Sequence, residues 1–421
     1  MRSKTKTPIL LSILPFLFHA EVRGEDWPRF RGLNGQGVSS EKNLPVRFGK
    51  DENVAWKTPI AGESWSSPIV TGNRVIVTTA TDGGASCHVV CLDASKGTVA
   101  WDREVFRQEL RRKQDKNSYA SSTPATDGAK IYAVFGSGGM AAVSMDGHVE
   151  WTRLGLKFHG QHGLGTSPVL HDDILIVALD GSSDGPDPKL GWQKPWDQSF
   201  VLALEKSTGK EKWKGMRGLS RIAHATPIVI DVGGKPQLLS NAGDVVQGFD
   251  LATGVRLWSV SSPGEGMVPS TAWGDGLAFT ASGFEKPTIR AVRPAPPEHP
   301  DEAKIAWEQS KGVPMISSFT YKPPYLYSVT TNGVAMCLKG ASGEIVWQER
   351  IGGDHSASPV WADEKIYFLA ENGECVVVES GPKFKLLARN NLDEKFQASI
   401  AVSGGALFLK SERSLFCVRK P

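Results

Sequence analysis

The sequence predicts an all-β fold: an eight-bladed β-propeller of four-stranded antiparallel blades, with the ring closed by pairing an N-terminal strand with the C-terminal blade. Three observations predict it. A start motif of a small hydroxyl residue, a proline and an apolar pair recurs along the chain. A glycine followed four residues later by tryptophan alternates with it. The two chain ends each hold the part of a repeat that the other lacks.

The start motif reads Ser67-Pro68-Ile69-Val70, Thr123-Pro124, Ser167-Pro168-Val169-Leu170, Thr226-Pro227-Ile228-Val229 and Ser358-Pro359-Val360, with degenerate copies centred on Thr271-Ala272, Ser318-Phe319 and Ser399-Ile400. Markers at Pro68, Pro124, Pro168, Pro227, Ala272, Phe319, Pro359 and Ile400 give eight units. A β-branched or aromatic run such as Val75 to Thr79 or Ile174 to Ala178 follows most of them. A period of roughly 40 to 60 residues made of short alternating strands and tight turns is the signature of a propeller. A helical solenoid would need a sustained 3.6-residue apolar period, which the sequence lacks.

The second motif pairs Gly97 with Trp101, Gly147 with Trp151, Gly209 with Trp213, Gly254 with Trp258 and Gly343 with Trp347. Trp307 and Leu387 hold the equivalent place in two diverged units, and Trp56 stands before the first unit begins. The glycine suits a tight turn, and the large flat side chain after it can bury roughly 150–250 Å² against a neighbouring blade. Trp56, Trp101, Trp151, Trp213, Trp258, Trp307 and Trp347 are therefore read as structural docking residues. The last unit stops at Cys417-Val418 without a fourth strand, whereas Val54-Ala55-Trp56-Lys57 is a fourth strand without its unit. Pairing them leaves no open edge in the ring.

Arg2, Lys4 and Lys6 precede an apolar run from Pro8 to Phe18, which is too short for a membrane span of roughly 20 residues. Val22 and Gly24 are small at the spacing a signal peptidase reads. Residues 1–24 are thus expected to be a cleaved signal peptide, 25–52 an N-terminal extension and 53–418 one propeller domain. The expected location is secreted or periplasmic, without stable membrane insertion after cleavage. Residues 1–24 hold four of the 48 basic and one of the 45 acidic residues, which leaves 44 of each. So balanced a chain has no electrostatic footprint for phosphate backbones, and nucleic acid is excluded as a partner. The local exception, Arg107, Arg111, Arg112, Lys113 and Lys116, is read as a solvated loop.

Five cysteines cannot all pair within one chain. Cys91, Cys337 and Cys417 occupy the same slot in three repeats, where Ala203 and Gly248 stand in two others. They are read as small buried residues rather than disulfide partners.

The stretch Cys91-Leu92-Asp93-Ala94-Ser95-Lys96-Gly97-Thr98-Val99-Ala100-Trp101, and more closely Ala203 to Trp213, resembles the tryptophan-docking repeat of the PQQ-like (pyrroloquinoline-quinone) propeller family. The resemblance spans residues 53–418. Asp26-Trp27-Pro28-Arg29-Phe30-Arg31-Gly32 is similar to the opening of secreted, planctomycete-type members. The family includes quinoprotein dehydrogenases and a non-catalytic outer-membrane assembly lipoprotein. The chain departs from the dehydrogenases in having no adjacent cysteine pair and no readable carboxylate cluster for calcium. It departs from the lipoprotein in having no cysteine before Cys87.

In a propeller the residues just before each start motif ring the channel mouth. Here these include Glu63, Trp65, Tyr119, His162, Arg221, His224, Asp354, His355 and Gln397, with Glu265 nearby. Their mixture of charge, aromatic and imidazole groups suits a polar ligand or peptide. A metal site would require His162 and His224 to meet Glu63 or Asp354, because two histidines alone are insufficient, and no metal is expected. An insertion, Gly181 to Ser199, carries Trp192 and Trp196, one expected to be buried and the other exposed. No nucleophile elbow, phosphate loop or zinc-protease helix is present. The sequence reading is a non-catalytic, monomeric binding or scaffold propeller engaging an envelope protein or small polar ligand, with no cofactor expected. The alternative is a PQQ-dependent oxidoreductase holding the quinone and calcium in a divergent site.

Overall fold

A computed structural model describes residues 24–156, 158–264 and 268–421. The expected leader falls almost wholly outside the described residues, and Glu265 lies outside them too. Eight four-stranded antiparallel sheets are arranged as blades, seven of them running from an inner strand to an outer one in chain order. The inner strands are short, for example Ile69–Thr71 in blade 1 and Val360–Ala362 in blade 7. Blade 8 is composite: its outer strand is Val54–Pro59, paired antiparallel with Ser414–Arg419 so that Trp56 faces Cys417.

The start motif forms a closed ring. The backbone N–H of its hydroxyl residue lies outside the ladder that starts two residues beyond it, and in five blades the following residue is a proline, which offers no donor. In every blade that N–H donates instead to the hydroxyl oxygen of the next blade. Ser67 donates to Thr123, Thr123 to Ser167, and Ser167 to Thr226, each at 3.0 Å. Thr226 donates to Ser270 at 2.9 Å, Ser270 to Ser318 at 3.0 Å, and Ser318 to Ser358 at 3.0 Å. Ser358 donates to Ser399 and Ser399 returns to Ser67, both at 2.9 Å. All eight residues are buried. The ring corrects the start of blade 5, which is Ser270 rather than the pair Thr271-Ala272. Consecutive hydroxyl residues hid the register, and only the neighbour's N–H selects between them.

The tryptophans form a second, outer girdle. Six of the seven indole N–H groups donate to a backbone carbonyl in the turn between the third and fourth strands of the next blade. Trp56 reaches Ala94, Trp101 reaches Met145, Trp151 reaches Lys206, Trp213 reaches Leu251, Trp307 reaches Gly340 and Trp347 reaches Gly381, at 2.9–3.1 Å. The repeat glycine thus serves the preceding blade as well as its own turn. At Gly97, Gly147, Gly209, Gly254 and Gly343, φ is positive and a β-carbon would run into the docked indole. Opposite each of six tryptophans across the sheet stands a cysteine or alanine: Cys91, Ala142, Ala203, Ala291, Cys337 or Cys417. All five cysteines are buried and free.

Two positions depart from this pattern for one reason. Trp258 donates at 2.8 Å to Gln237 of its own blade, and Gln237 relays the contact to the carbonyl of Ala295 at 3.0 Å. Ala295 belongs to the long connection that replaces the tight glycine turn in blade 5. In blade 7 the register corrects the sequence reading by one residue: Ala388, not Leu387, stands opposite Val377 in the tryptophan slot, and Leu387 is the bulged residue before it. The next blade is blade 8, whose third and fourth strands come from opposite ends of the chain and have no connecting turn. There the extension takes over, with Asn390 accepting from Phe48 N–H and donating to Val46 carbonyl, both at 2.9 Å.

The extension also crosses one face of the ring. Trp27 exchanges backbone bonds with Val70, Pro28 accepts from Thr126, and Gly37 and Ser39 bond Trp361. Gln36 accepts from Trp273 N–H, and Glu41 accepts from Gly404 and Gly405. Arg31, 3% exposed, donates to the Phe319 carbonyl, Thr320 Oγ1 and Gln36 carbonyl. Burial lowers its pKa to about 9. Arg29, Phe30 and Gly35 line a small cavity with Pro168 and Ile228. Contacts therefore reach all eight blades, at the far ends of the inner strands.

Two outcomes test this account. Ser167→Ala leaves the buried Thr123 N–H without its acceptor and should cost about 1–3 kcal/mol, read as a lower urea midpoint at unchanged slope. Deleting residues 50–60 removes the outer strand of blade 8 and exposes the Ser414–Arg419 edge, and single-step unfolding by circular dichroism should be lost.

Candidate functional site

The opposite face is built from the segments entering the inner strands and from the loops joining second to third strands. The residues expected at the mouth lie here, in several different settings. Glu63 is exposed and 3.6 Å from Lys113. Trp65 is half-buried, its Nε1 has no hydrogen-bond partner, and Lys395 Nζ lies 5.4 Å from its ring. Tyr119 donates its hydroxyl to the Arg111 carbonyl at 2.7 Å and carries Lys113 Nζ 5.5 Å from its ring. Asp354 is exposed, and Gln397 is half-buried.

Two residues are structural where the sequence suggested a mouth lining. His355 is 0% exposed, with Nδ1 3.1 Å from the Leu369 carbonyl and Nε2 2.9 Å from that of Gly352. Burial holds it below the ordinary imidazole range despite those two acceptors. Arg221 pairs with Glu285 at 2.8 Å and donates to the carbonyls of Gly264 and Gln193. It clamps the blade 3 insertion to blades 4 and 5. Sequence position placed both residues beside the mouth, but their side chains turn into the protein.

His162 and His224 do meet, with ring centroids 6.0 Å apart, and Trp192 packs edge-on to His162 at 5.5 Å. Neither Glu63 nor Asp354 joins them. No group of three histidine, cysteine, aspartate or glutamate side chains converges on a metal position among the described residues. Burial lowers the His224 pKa to about 4, with a smaller contribution from His162. Burial, then the charge of Arg112, lowers His162. Trp192 and Trp196 are both half-buried, so the insertion does not divide them into one buried and one exposed ring.

The basic loop is not simply solvated. Lys116 reaches across the mouth to Glu371 of blade 7 at 3.1 Å, a contact 255 residues apart in sequence. Beyond this bridge lies a cleft of about 670 Å³ lined by Glu371, Asn372, Asp393, Glu394, Lys395, Glu412 and Arg413. Lys57 pairs with Glu394 at 2.5 Å, so the cleft is polar and mixed in charge. The sequence reading missed it because it counted only residues before the start motifs. Glu371, Glu412 and Arg413 come from the second-to-third strand loops, which emerge on the same face.

Among the described residues no set of three acidic or imidazole groups converges to hold a calcium ion beside a quinone, and the five thiols are buried. The family described as outer membrane protein assembly factor BamB matches residues 38–178 and 285–381, more than half of the chain. The chain belongs to this family of PQQ-like propellers. No curated protein matches it at the sequence level. Among solved structures, BamB from Moraxella catarrhalis superposes with a TM-score of 0.58 at 10% identity, covering 86% of this chain and 99% of that one. The computationally designed Ika8 protein gives 0.61 at 11% identity, over 89% and 100%. A europium-containing methanol dehydrogenase gives 0.53 at 12% identity, over 93% and 90%. A BamB-type chain thus shares its fold with a designed protein and with an enzyme, and the fold alone does not assign an activity.

The lowered imidazoles give a prediction with a defined sign. His224 stays neutral in the fold down to about pH 4, whereas an unfolded histidine takes up its proton near pH 6.5. Its contribution is therefore intact above pH 6.5 and is lost as pH falls from there toward 4. Between pH 7 and 4.5, urea unfolding of the wild type should lose up to about 2 kcal/mol more than His224→Gln.

Proposed function

We propose that this BamB-type propeller is an exported, non-catalytic binding or scaffold protein of the cell envelope, and that it engages a partner protein or polar ligand through the face carrying the cleft. The observation that carries this reading is the asymmetry of the two faces. One is covered by the protein's own extension, through contacts to every blade. The other gathers polar loops around a cleft of about 670 Å³, with half-buried Trp65 beside its Lys395. Loops held on a rigid ring are suited to recognition. No helix among the described residues is long and apolar enough to cross a membrane. Membership in a family described as an assembly factor for outer membrane proteins supports an envelope setting.

The test is site-specific photo-crosslinking in the native envelope. A photoreactive residue at Asn372 or Asp393 should yield a discrete adduct, and one at the exposed Leu33 on the covered face should not. Adducts from Leu33 alone would reverse the assignment of faces. Dye-linked alcohol or sugar oxidation by the purified protein with added PQQ and calcium would replace the scaffold reading with the quinoprotein one.

A further inference from the structure

The first described residues of the extension are held by an arrangement that a neutral peptide bond uses only in part. Glu25 N–H donates to Glu41 Oε1 at 2.5 Å. The same carboxylate accepts Gly404 N–H on Oε1 and Gly405 N–H on Oε2, both at 2.9 Å. Its donors here are all backbone amides. The clasp is reciprocal, because Glu25 Oε2 accepts from Ser39 Oγ at 2.7 Å and from Ser40 N–H at 2.8 Å. One residue further on, the Asp26 carboxylate accepts from Thr71 Oγ1 at 2.8 Å and Gly72 N–H at 2.9 Å. Gly24, by contrast, lies so close to Gly404 that any side chain on it would overlap that residue's backbone. Among the described residues the side-chain hydrogen bonds begin at Glu25.

We infer that the Gly24–Glu25 peptide bond is the processing site, and that Glu41 is the receptor for the α-ammonium group that cleavage creates. Val22 and Gly24 supply the small residues that a signal-peptidase-class protease reads. Hydrolysis adds one water across the bond. Its hydroxyl goes to the Gly24 carbonyl carbon, which departs as a carboxylate with residues 1–24, and the Glu25 nitrogen becomes an amine that is mostly protonated at pH 7. A single amide N–H facing Glu41 is thereby replaced by three N–H donors carrying a full positive charge. The contact becomes a charge-assisted hydrogen bond of the stronger class. Removing the leader then does more than release the protein: it fastens the start of the strap, next to Trp27, across the covered face.

The cleavage arm of the test rests on the export reading, and the second arm does not. The full chain is exported in a bacterial host, purified, and examined by N-terminal sequencing and intact mass. The expected first residue is Glu25, and any other start overturns the site. Amide hydrogen exchange over residues 26–39 is then compared in four proteins: the chain starting at Glu25, the same chain with Gly-Ser added before Glu25, and Glu41→Gln in each background. The added dipeptide should speed exchange at least tenfold, and so should Glu41→Gln in the chain starting at Glu25. In the extended chain Glu41→Gln should have a much smaller effect. Equal exchange with and without the dipeptide, or an equal effect of Glu41→Gln in both backgrounds, would show that no such ion pair forms. Glutamine keeps one acceptor oxygen and so loses one of the two bonds to Gly404 and Gly405, but that loss is the same in both backgrounds and drops out of the comparison between them.

Discussion

Eight buried backbone N–H groups at the inner rim must find acceptors, and the rest of the propeller depends on how they do. The ladder cannot supply them, because each inner strand begins two residues later. A buried donor left unmet costs about 1–3 kcal/mol, so eight such failures would exceed the net stability of an ordinary domain, about 5–15 kcal/mol. A hydroxyl from the next blade meets each one. That requirement fixes the spacing between neighbouring blades at the axis, and the tryptophan girdle fixes it again nearer the rim. Two sets of contacts at different radii define the angle between blades, which one set alone could not.

The same geometry separates the two faces. Segments that precede the hydroxyl ring collect on one side, and the far ends of the inner strands collect on the other. The second side is where the extension runs, and it brings Arg31 into a fully enclosed position served only by carbonyls and a hydroxyl. All three bonds come from Nη2, and the buried Nη1 has no partner, so this cation is only partly compensated and the packing of the strap must outweigh that cost. The first side is left to loops that vary from blade to blade, and there the imidazoles, the cleft and the Lys116–Glu371 bridge are found.

How much of this was legible in the sequence depends on whether the signal was periodic. Gly97 with Trp101 and its four counterparts repeat, so the blade count and the closure through Trp56 could be read without coordinates. The register of blade 5 could not, because Ser270 and Thr271 are chemically equivalent on paper and differ only in which one faces Thr226. The relay from Trp258 through Gln237 to Ala295 was hidden for a similar reason: the compensating glutamine lies in a different strand. His355 and Arg221 were misplaced because adjacency to the start motif fixes the backbone position but not the direction of the side chain. The cleft residues Glu371 and Glu412 carry no motif at all, and they meet only because two neighbouring blades turn on the same face.

The hydroxyl ring has a further property as an electrical object. Each N–H···O bond points from one blade to the next in the same rotational sense, so the eight bond dipoles circulate around the axis and cancel in sum. A helix lining a pore would impose a positive and a negative end; this wall imposes neither. Within the plane of the ring the bonds therefore add no net dipole, and the side chains of the loops at the mouth supply the charge a ligand would meet there.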